Sequence, residues 1–146
     1  PVLRPSMSDS PKSPVVLASA EDVIQVRFSD TDAMGHISSG SYAAFAEVGR
    51  ESFFKQIPGP RSEIPWFVLA HLGMDYPSEG RFGQRVTLTT RVVKLGEKSM
   101  TLEQQVFADE KLCCRLEVVM VGFDPKTRKS APIPTHWRVA EPGAAA

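Results

Sequence analysis

From residue 66 to residue 120, apolar and polar positions alternate in four segments that short polar or glycine-containing turns separate. Alternation with a period of two predicts β-strands with one buried side. The alternating positions are Trp66, Val68, Ala70, Leu72, Met74 and Tyr76; Val86, Leu88, Thr90 and Val92; Met100, Leu102, Gln104 and Val106; and Leu112, Cys114, Leu116, Val118 and Met120. The turns at Gly96 and Asp109 are short, so the strands are predicted to form a meander of hairpins.

One strand and one helix are predicted before these four segments. Ile24, Val26 and Phe28 alternate with polar positions and predict a short strand that ends at Ser29. Small and apolar residues at helical spacing then predict a helix over residues 40–55, which Pro58 and the following residues end. A strand, a long helix and four further strands predict an α+β fold with one sheet and one helix to cover it.

The two ends of the chain have a different composition from the middle. Residues 1–20 combine prolines and serines without apolar periodicity, so we expect a disordered leader there. Residues 141–146 are expected to form a flexible tail. A single domain over residues 21–140 remains.

Composition and charge exclude several functional classes. The chain has 146 residues, 42% of them hydrophobic, and 17 basic residues balance 17 acidic ones, so no global field favours nucleic acid or a membrane surface. The two cysteines, Cys113 and Cys114, are adjacent and are expected to face opposite sides of a strand, which argues against a disulfide and for a reducing, cytoplasmic location. Three scattered histidines predict no metal site, and no cofactor motif is present.

The segment between the first strand and the helix concentrates the polar chemistry. Two carboxylates, Asp30 and Asp32, precede Gly35 and His36, and the helix begins near Ser39. Backbone N–H groups in the first turn of a helix lack intrahelical acceptors and can stabilise an oxyanion, while a facing carboxylate could attack or deprotonate water. Spacing alone also allows both aspartates to be turn formers and cap acceptors, and by itself it favours that simpler interpretation.

A longer motif narrows this choice. It runs Phe28-x-Asp30-Thr31-Asp32-x-x-Gly35-His36, then Tyr42, then Glu47-x-x-Arg50. This pattern resembles the hotdog-fold acyl-CoA thioesterases of the 4-hydroxybenzoyl-CoA type, from Val23 to about Phe123. The resemblance implies a curved antiparallel sheet of about five strands wrapped around one central helix. It also implies hydrolysis of an acyl thioester to a free acid and CoA, in a homodimer or homotetramer with active sites at the subunit interface.

The resemblance also implies roles for individual residues. Asp32 would act as nucleophile or general base, Asp30 would be structural, and the backbone at Ser39 and Gly40 would receive the oxyanion. His36 is expected either to bond the carboxylate loop or substrate, or to pack locally. Glu47 is a rival base, because related lineages place a carboxylate on this helix; we favour a structural pair of Glu47 with Arg50 instead.

Substrate contacts follow in the same way. The resemblance suggests that four aromatic residues line the acyl pocket, with core packing as the alternative: Tyr42, Phe45, Trp66 and Phe67. Four cations are candidates for the CoA phosphates, with solvated surface charge as the alternative: Arg81, Arg85, Lys126 and Arg128.

The chain departs from the family at two places. Ser38-Ser39 stands where relatives often have Asn-Asn, and Gly83-Gln84-Arg85 stands where they often have Gly-Asp. A serine can still cap the helix. The altered Ser38-Ser39 pair leaves open a non-catalytic module that binds acyl-CoA or assembles with a partner. A thioesterase that acts on acyl carrier protein is a further alternative, because that carrier presents the same phosphopantetheine arm. Chain length and aromatic or aliphatic preference of the acyl group stay open as well.

Overall fold

A computed structural model describes residues 11–141 of the chain. In chain order its regular elements are β1 (Val15–Leu17), β2 (Ala20–Ile24), α1 (Ser39–Lys55), β3 (Trp66–Asp75), β4 (Val86–Leu95), β5 (Ser99–Ala108), β6 (Lys111–Asp124), β7 (Lys129–Ser130) and β8 (Trp137–Val139). Short 3-10 helices occupy Phe28–Asp30 and Arg61–Glu63. Within these residues, no helix is both long enough and apolar enough to cross a membrane.

Five antiparallel strands form one curled sheet in the order β2-β4-β5-β6-β3, and the short β7 adds to β6. The helix α1 packs against β2, β4 and β5. This confirms the predicted α+β class and the hotdog arrangement of a curved sheet around one long helix. The predicted helix and the four later strands all form within a few residues of their expected limits.

The helix lies close to the sheet because its inner face carries small residues. Gly49 is buried, and a Cβ there would overlap Leu88. Beside it, the amide of Gln104 donates to Ala46 O and Thr90 Oγ1, both at 2.9 Å, and accepts a hydrogen bond from Arg50 Nη1 at 3.0 Å. These bonds satisfy polar groups that the alternation placed inside the core.

The expected pair of Glu47 with Arg50 is wrong, because Arg50 turns inward to Gln104 while Glu47 stays exposed. Burial lowers the pKa of Arg50, and the charge of Glu47 opposes that effect. Glu47 therefore acts on Arg50 by its charge, while the hydrogen bond of the guanidinium goes to Gln104.

The strand that precedes the helix, β2, differs from the predicted one. It covers Ala20–Ile24 rather than Val23 to Phe28, and Phe28 is 79% exposed at the start of a 3-10 turn. The turn forms because the Asp30 carboxylate accepts the backbone N–H of Arg27 at 2.8 Å, which bends the chain before the alternation ends.

The expected disordered leader is wrong for its last part. Val15–Leu17 pairs in parallel with Trp137–Val139, and Leu17 and Trp137 are buried in the common core. Apolar side chains at both ends of the chain thus gain burial that neither has alone. Residues 1–10 of that leader, and residues 142–146 of the expected tail, lie outside the described part of the chain.

The expected meander is correct only for β4, β5 and β6. β3 instead pairs with β6 at the far edge of the sheet, with Trp66 opposite Phe123 and Asp75 opposite Arg115. The connection over residues 76–85 carries the chain back across the end of the sheet to β4. An edge position for β3 leaves its outer hydrogen-bonding side without a strand among the described residues.

A bulge in β6 overturns the expectation that the two cysteines face opposite sides. Val106 pairs with Cys114 and Phe107 with Leu112, so Cys113 is the extra residue of the bulge. Both thiols are consequently buried, and both are free. Burial, with a further contribution from Cys113, raises the pKa of Cys114 to about 12.

Candidate active site

The loop over residues 27–37, which we call the carboxylate loop, is organised by two aspartates. The first, Asp30, is buried and accepts hydrogen bonds from the backbone N and the guanidinium Nη2 of Arg27, at 2.8 and 2.9 Å. The hydrogen bonds from Arg27 hold the pKa of Asp30 below its ordinary value. Both carboxylate oxygens of Asp30 are therefore occupied within the loop, which favours a structural role.

The second aspartate, Asp32, is exposed, and its two carboxylate oxygens differ in their hydrogen bonding. Oδ1 accepts the backbone N–H groups of Met34 and His36 at 2.9 and 3.0 Å. Gly35, with φ of 79°, allows the tight turn between them. Among the described residues, these hydrogen bonds fall on Oδ1, so Oδ2 remains for a substrate or a water.

The carboxylate loop is tied to the start of α1 through the carbonyl of Asp30. That oxygen accepts hydrogen bonds from Ser38 N at 3.0 Å and from Ser41 Oγ at 2.8 Å. Ser38 occupies the N-cap position, yet its hydroxyl bonds Asp30 O and Ser41 Oγ and caps no helical N–H. The expected N-cap residue is confirmed in position, but its hydroxyl does not make the capping hydrogen bond, and the first-turn N–H groups at Ser39 and Gly40 have no intrahelical acceptor.

A second segment, residues 78–81, joins the carboxylate loop from the other side; we call it the clamp segment. Gly80 O accepts the N–H of Ile37 at 2.8 Å, and Gly80 N donates to the hydroxyl of Tyr42 at 3.2 Å. The side chain of His36 meets Glu79 and Arg81: its Nε2 lies 2.5 Å from Glu79 Oε2 and 3.1 Å from Arg81 Nη2.

An open cavity of about 620 Å³ lies between the carboxylate loop, the helix start and the clamp segment. Its lining residues are Asp32, His36, Ile37, Ser38, Ser39, Tyr42, Tyr76, Ser78 and Glu79. The structure thus brings together four of the predicted site residues, Asp32, His36, Ser39 and Tyr42. Gly40 follows Ser39 in the first turn of α1 and is exposed.

The floor of this cavity is aromatic and uncharged. Tyr42 is buried, and its ring lies 5.9 Å from that of Tyr76. Burial raises the pKa of Tyr42 above its ordinary value, and the thiol of Cys113 adds to the shift. The phenol is therefore neutral at physiological pH and offers an apolar wall below the charged rim.

Three of the predicted acyl-pocket residues do not line this cavity. Phe45 is buried beneath it, edge-on to Tyr42 at 6.4 Å. Phe67 stacks on Phe54 and Trp137 at 5.1 and 6.2 Å, and Trp66 packs under the guanidinium of Arg61 at 3.8 Å. Trp66 and Phe67 stand at the start of β3, about 30 Å along the strand from its other end at the cavity.

The candidate cations fall at three different places. Arg81 lies beside His36, which lines the cavity, while Arg85 is exposed just before β4, its backbone N–H bonded to Asp109. Lys126 and Arg128 are exposed in the turn between β6 and β7, with the Arg128 guanidinium 5.3 Å from the ring of Phe123. The rival base Glu47 does not line the cavity.

Sequence reasoning missed Tyr76, Ser78 and Glu79 as lining residues. Tyr76 was visible only as the end of an alternating strand, and nothing in the spacing of Ser78 and Glu79 signals a site. What places them there is pairing over a long sequence distance: an isolated β-bridge joins His36 to Arg81. Across residues 11–141, no group of three or more histidine, cysteine, aspartate or glutamate side chains is arranged to hold a metal ion.

Comparison with known proteins assigns the family. Residues 26–140 match the profile of the Thioesterase-like superfamily, a stretch that includes the carboxylate loop, the helix and every strand of the main sheet except β2. The chain belongs to this superfamily. The match therefore confirms the resemblance found in the motif of the carboxylate loop.

Individual relatives share less than a third of their aligned residues with this chain. The acyl-CoA thioesterase YbgC of Helicobacter pylori is 29% identical over 84 residues, which cover 57% of this chain and 63% of that protein. A thioesterase from Thermus thermophilus, solved with coenzyme A and zinc, is 28% identical with a TM-score of 0.71 over 80% of this chain and 86% of its own. A predicted thioesterase from Bacillus stearothermophilus is also 28% identical, with a TM-score of 0.72 over 82% of this chain and 90% of its own.

Proposed function

We propose that this protein is an acyl-CoA thioesterase that hydrolyses an acyl thioester to a free acid and CoA. The observation that carries the proposal is the position of Asp32, which lines a cavity that the start of α1 also borders and uses Oδ1 for its hydrogen bonds within the loop. The superfamily match supports the reaction class, and the H. pylori relative and the CoA-bound Thermus structure support CoA as the thiol.

In the proposed reaction, the thioester carbonyl lies between Asp32 and the first turn of α1. Asp32 either attacks the carbonyl carbon, giving an anhydride that water then hydrolyses, or removes a proton from the water that attacks. In both routes the carbonyl oxygen gains negative charge, which the N–H groups at Ser39 and Gly40 and the positive end of the helix dipole stabilise. The thiolate leaves and takes up a proton.

Thiol release tests this proposal. We would compare short, long and aromatic acyl-CoA esters with the unmodified protein, Asp32→Asn and Glu47→Gln. Loss of the carboxylate in Asp32→Asn is expected to lower kcat at least about a hundredfold, the usual scale for an essential acid or base. Glu47→Gln, outside the cavity, is expected to stay within about threefold.

Other results would redirect the proposal. Equal rates in the parent and Asp32→Asn would reject Asp32, and loss in Glu47→Gln alone would move the base to the helix. Saturable acyl-CoA binding without thiol release would favour the binding module. Release from acyl carrier protein but not from acyl-CoA would favour a carrier-protein thioesterase.

We further propose that the active unit is at least a homodimer, joined through the edge of β3. This edge strand exposes apolar side chains, with Trp66, Val68 and Leu69 at 59, 42 and 47%. An unpaired apolar edge is a pairing surface. Two copies related by a two-fold axis across that edge pair antiparallel, so the start of one β3 lies near the end of the other.

Antiparallel pairing would give the distant candidate residues a place at the site. Trp66 and Phe67 of the partner subunit would approach the Tyr76 end of β3, where the cavity opens. Phe123 pairs with both Trp66 and Ser130, so the turn that carries Lys126 and Arg128 would come with it. The aromatic and cationic contacts expected for the acyl group and the CoA phosphates would then be supplied across the interface.

Molecular mass in solution tests the interface. Leu69→Lys places a charge on the proposed contact and is expected to halve the mass of the assembly and to reduce thiol release. Val23→Lys is the matched control, since Val23 is also exposed and lies on the opposite edge strand β2. An unchanged mass for Leu69→Lys, or dissociation of Val23→Lys, would reject the β3 interface.

A further inference from the structure

The clamp segment, residues 78–81, contacts both halves of the cavity although the sequence motif does not include it. Gly80 bonds the carboxylate loop through Ile37 and the helix through Tyr42. A Cβ on Gly80 would lie 2.9 Å from Ile37 Cδ1 and 2.9 Å from Tyr42 Oη. The backbone of this segment is therefore packed directly against the two elements that carry the proposed chemistry.

The side chains on either side of Gly80 converge on a single atom, Nε2 of His36. Glu79 Oε2 lies 2.5 Å from it and Arg81 Nη2 lies 3.1 Å from it. One ring nitrogen either donates or accepts, so it cannot serve both partners at once. The shorter contact favours Nε2–H donating to Glu79, with Arg81 held beside the pair by Met34 O at 3.4 Å and Glu79 Oε1 at 3.5 Å.

These side-chain contacts act on the two residues that hold the catalytic carboxylate. Glu79 fixes His36, and Arg81 reaches the carbonyl of Met34. The N–H groups of the same two residues, Met34 and His36, are the donors to Asp32 Oδ1. A change at Arg81 thus reaches Asp32 through Met34, and a change at Glu79 reaches it through His36.

We propose that Glu79 and Arg81 are positioning residues, which hold the carboxylate loop so that the Asp32 carboxylate stays at the cavity. This inference rests on the proposed function and deepens it. A positioning residue changes how often the reactive geometry is reached, and a displacement near 1 Å can cost about a hundredfold in rate. Its loss is therefore expected to reduce kcat while KM changes little.

Arg81 has an alternative role as a ligand of the CoA phosphates, and the choice of substrate separates the two. An acyl-N-acetylcysteamine thioester keeps the reacting thioester and lacks the nucleotide and its phosphates. Positioning predicts that Arg81→Ala lowers kcat on this short substrate as much as on acyl-CoA. Phosphate binding predicts a higher KM on acyl-CoA and no defect on the short substrate.

The experiment compares Glu79→Ala, Glu79→Gln and Arg81→Ala with two controls, Glu97→Gln and Arg115→Ala. Glu97 is an exposed carboxylate in the β4–β5 turn, and Arg115 lies on β6 and lines a different cavity. We expect Glu79→Ala and Arg81→Ala to lower kcat about 10- to 100-fold on both substrates, with KM within about twofold. Glu79→Gln keeps an acceptor for Nε2–H and is expected to recover most of the rate, and the controls to stay within about twofold.

Amide exchange gives a readout that does not need turnover. Loosening of the clamp is expected to speed exchange of the Met34 and His36 amides about tenfold or more in Glu79→Ala, at an unchanged melting temperature. Unchanged amide exchange in Glu79→Ala would overturn the positioning roles. So would an unchanged kcat in Glu79→Ala and Arg81→Ala when Asp32→Asn loses activity, and that result would leave the proposed function intact. A defect in Arg81→Ala confined to KM on acyl-CoA would overturn the role of Arg81. A parent that releases no thiol from any ester would instead count against the proposed function, and amide exchange would still decide the positioning.

Discussion

The carboxylate loop and the clamp segment border the same cavity, but their hydrogen bonds span very different distances along the chain. In the loop, Asp30 bonds a residue three positions away and Asp32 bonds residues two and four positions away. The hydrogen bonds that tie the clamp segment to the helix and to the loop, from Gly80 N to Tyr42 and from Arg81 Nη1 to Met34, instead join residues 38 and 47 positions apart. The loop can therefore organise itself locally, whereas the clamp contacts exist only once the sheet and helix have assembled.

The largest stability difference between the two regions is expected from Gly80→Ala. A Cβ at this position would press on Ile37 Cδ1 and Tyr42 Oη, each 2.9 Å away. Overpacking of this kind costs about 1–3 kcal/mol in free energy of unfolding, which urea titration measures. We expect this loss of stability to be accompanied by a lower kcat, because Gly80 is hydrogen-bonded to both the carboxylate loop and the helix.

Gly40→Ala is the matched control for that substitution. Nothing lies within 4 Å of a Cβ at Gly40, in the first turn of α1. Alanine favours a helix over glycine by up to about 1 kcal/mol, so this variant is expected to be as stable as the parent or slightly more stable. Equal stability of Gly80→Ala and the parent would show that the clamp segment yields easily and does not fix the site.

A smaller effect is expected from Asp30→Asn, which weakens the loop from within. The buried Asp30 carboxylate loses its charged hydrogen bonds with Arg27, at a cost of about 1–2 kcal/mol at pH 7. Its pKa is lowered in the folded protein, so its stabilisation is complete above the ordinary aspartate pKa of about 4 and is lost as pH falls through the folded value. The difference between parent and variant should therefore shrink in urea titrations below pH 4.

Glu21→Gln removes an exposed carboxylate on β2 and controls for the loss of one charge. Surface changes of this type usually stay within about 0.5 kcal/mol, so the free energy of unfolding at pH 7 is expected to stay close to that of the parent. A difference between parent and Asp30→Asn that persisted unchanged at acidic pH would contradict the role given to the Arg27–Asp30 contact.

The same contrast explains which parts of the site could be predicted from the sequence. The spacing of Asp30, Asp32, Gly35 and His36 predicts a polar loop before a helix, because the bonds that shape it are local. Glu79 carries no such signal, since it reaches the cavity only through pairing of distant segments. The sequence marks Arg81 only as a candidate cation for the CoA phosphates, and the folded chain places it against His36.

The fold divides in the same way. Alternation and helical spacing predicted the helix and four strands, because burial of one face is a local pattern. The predicted end of β2 is wrong because the hydrogen bond from Arg27 N to Asp30 outweighs the alternation that continues to Phe28. The edge position of β3 and the bulge at Cys113 depend on strand register, which no single segment determines.

The smallest difference between the two variants is expected in the labelling of the buried thiols, which lie beside the clamp segment. Cys113 and Cys114 are buried, and the pKa of Cys114 is raised to about 12, so very little thiolate exists at pH 8. A maleimide should therefore label the folded parent at least about a hundredfold more slowly than the urea-unfolded protein. A Cβ on Gly80 would lie 3.4 Å from Cys113 Sγ, so Gly80→Ala is expected to speed labelling, whereas Asp30→Asn, which loosens the loop, is not. Faster labelling in Asp30→Asn would mean that the loop and the clamp segment open together, and the two regions would then be one cooperative unit despite their different hydrogen bonding.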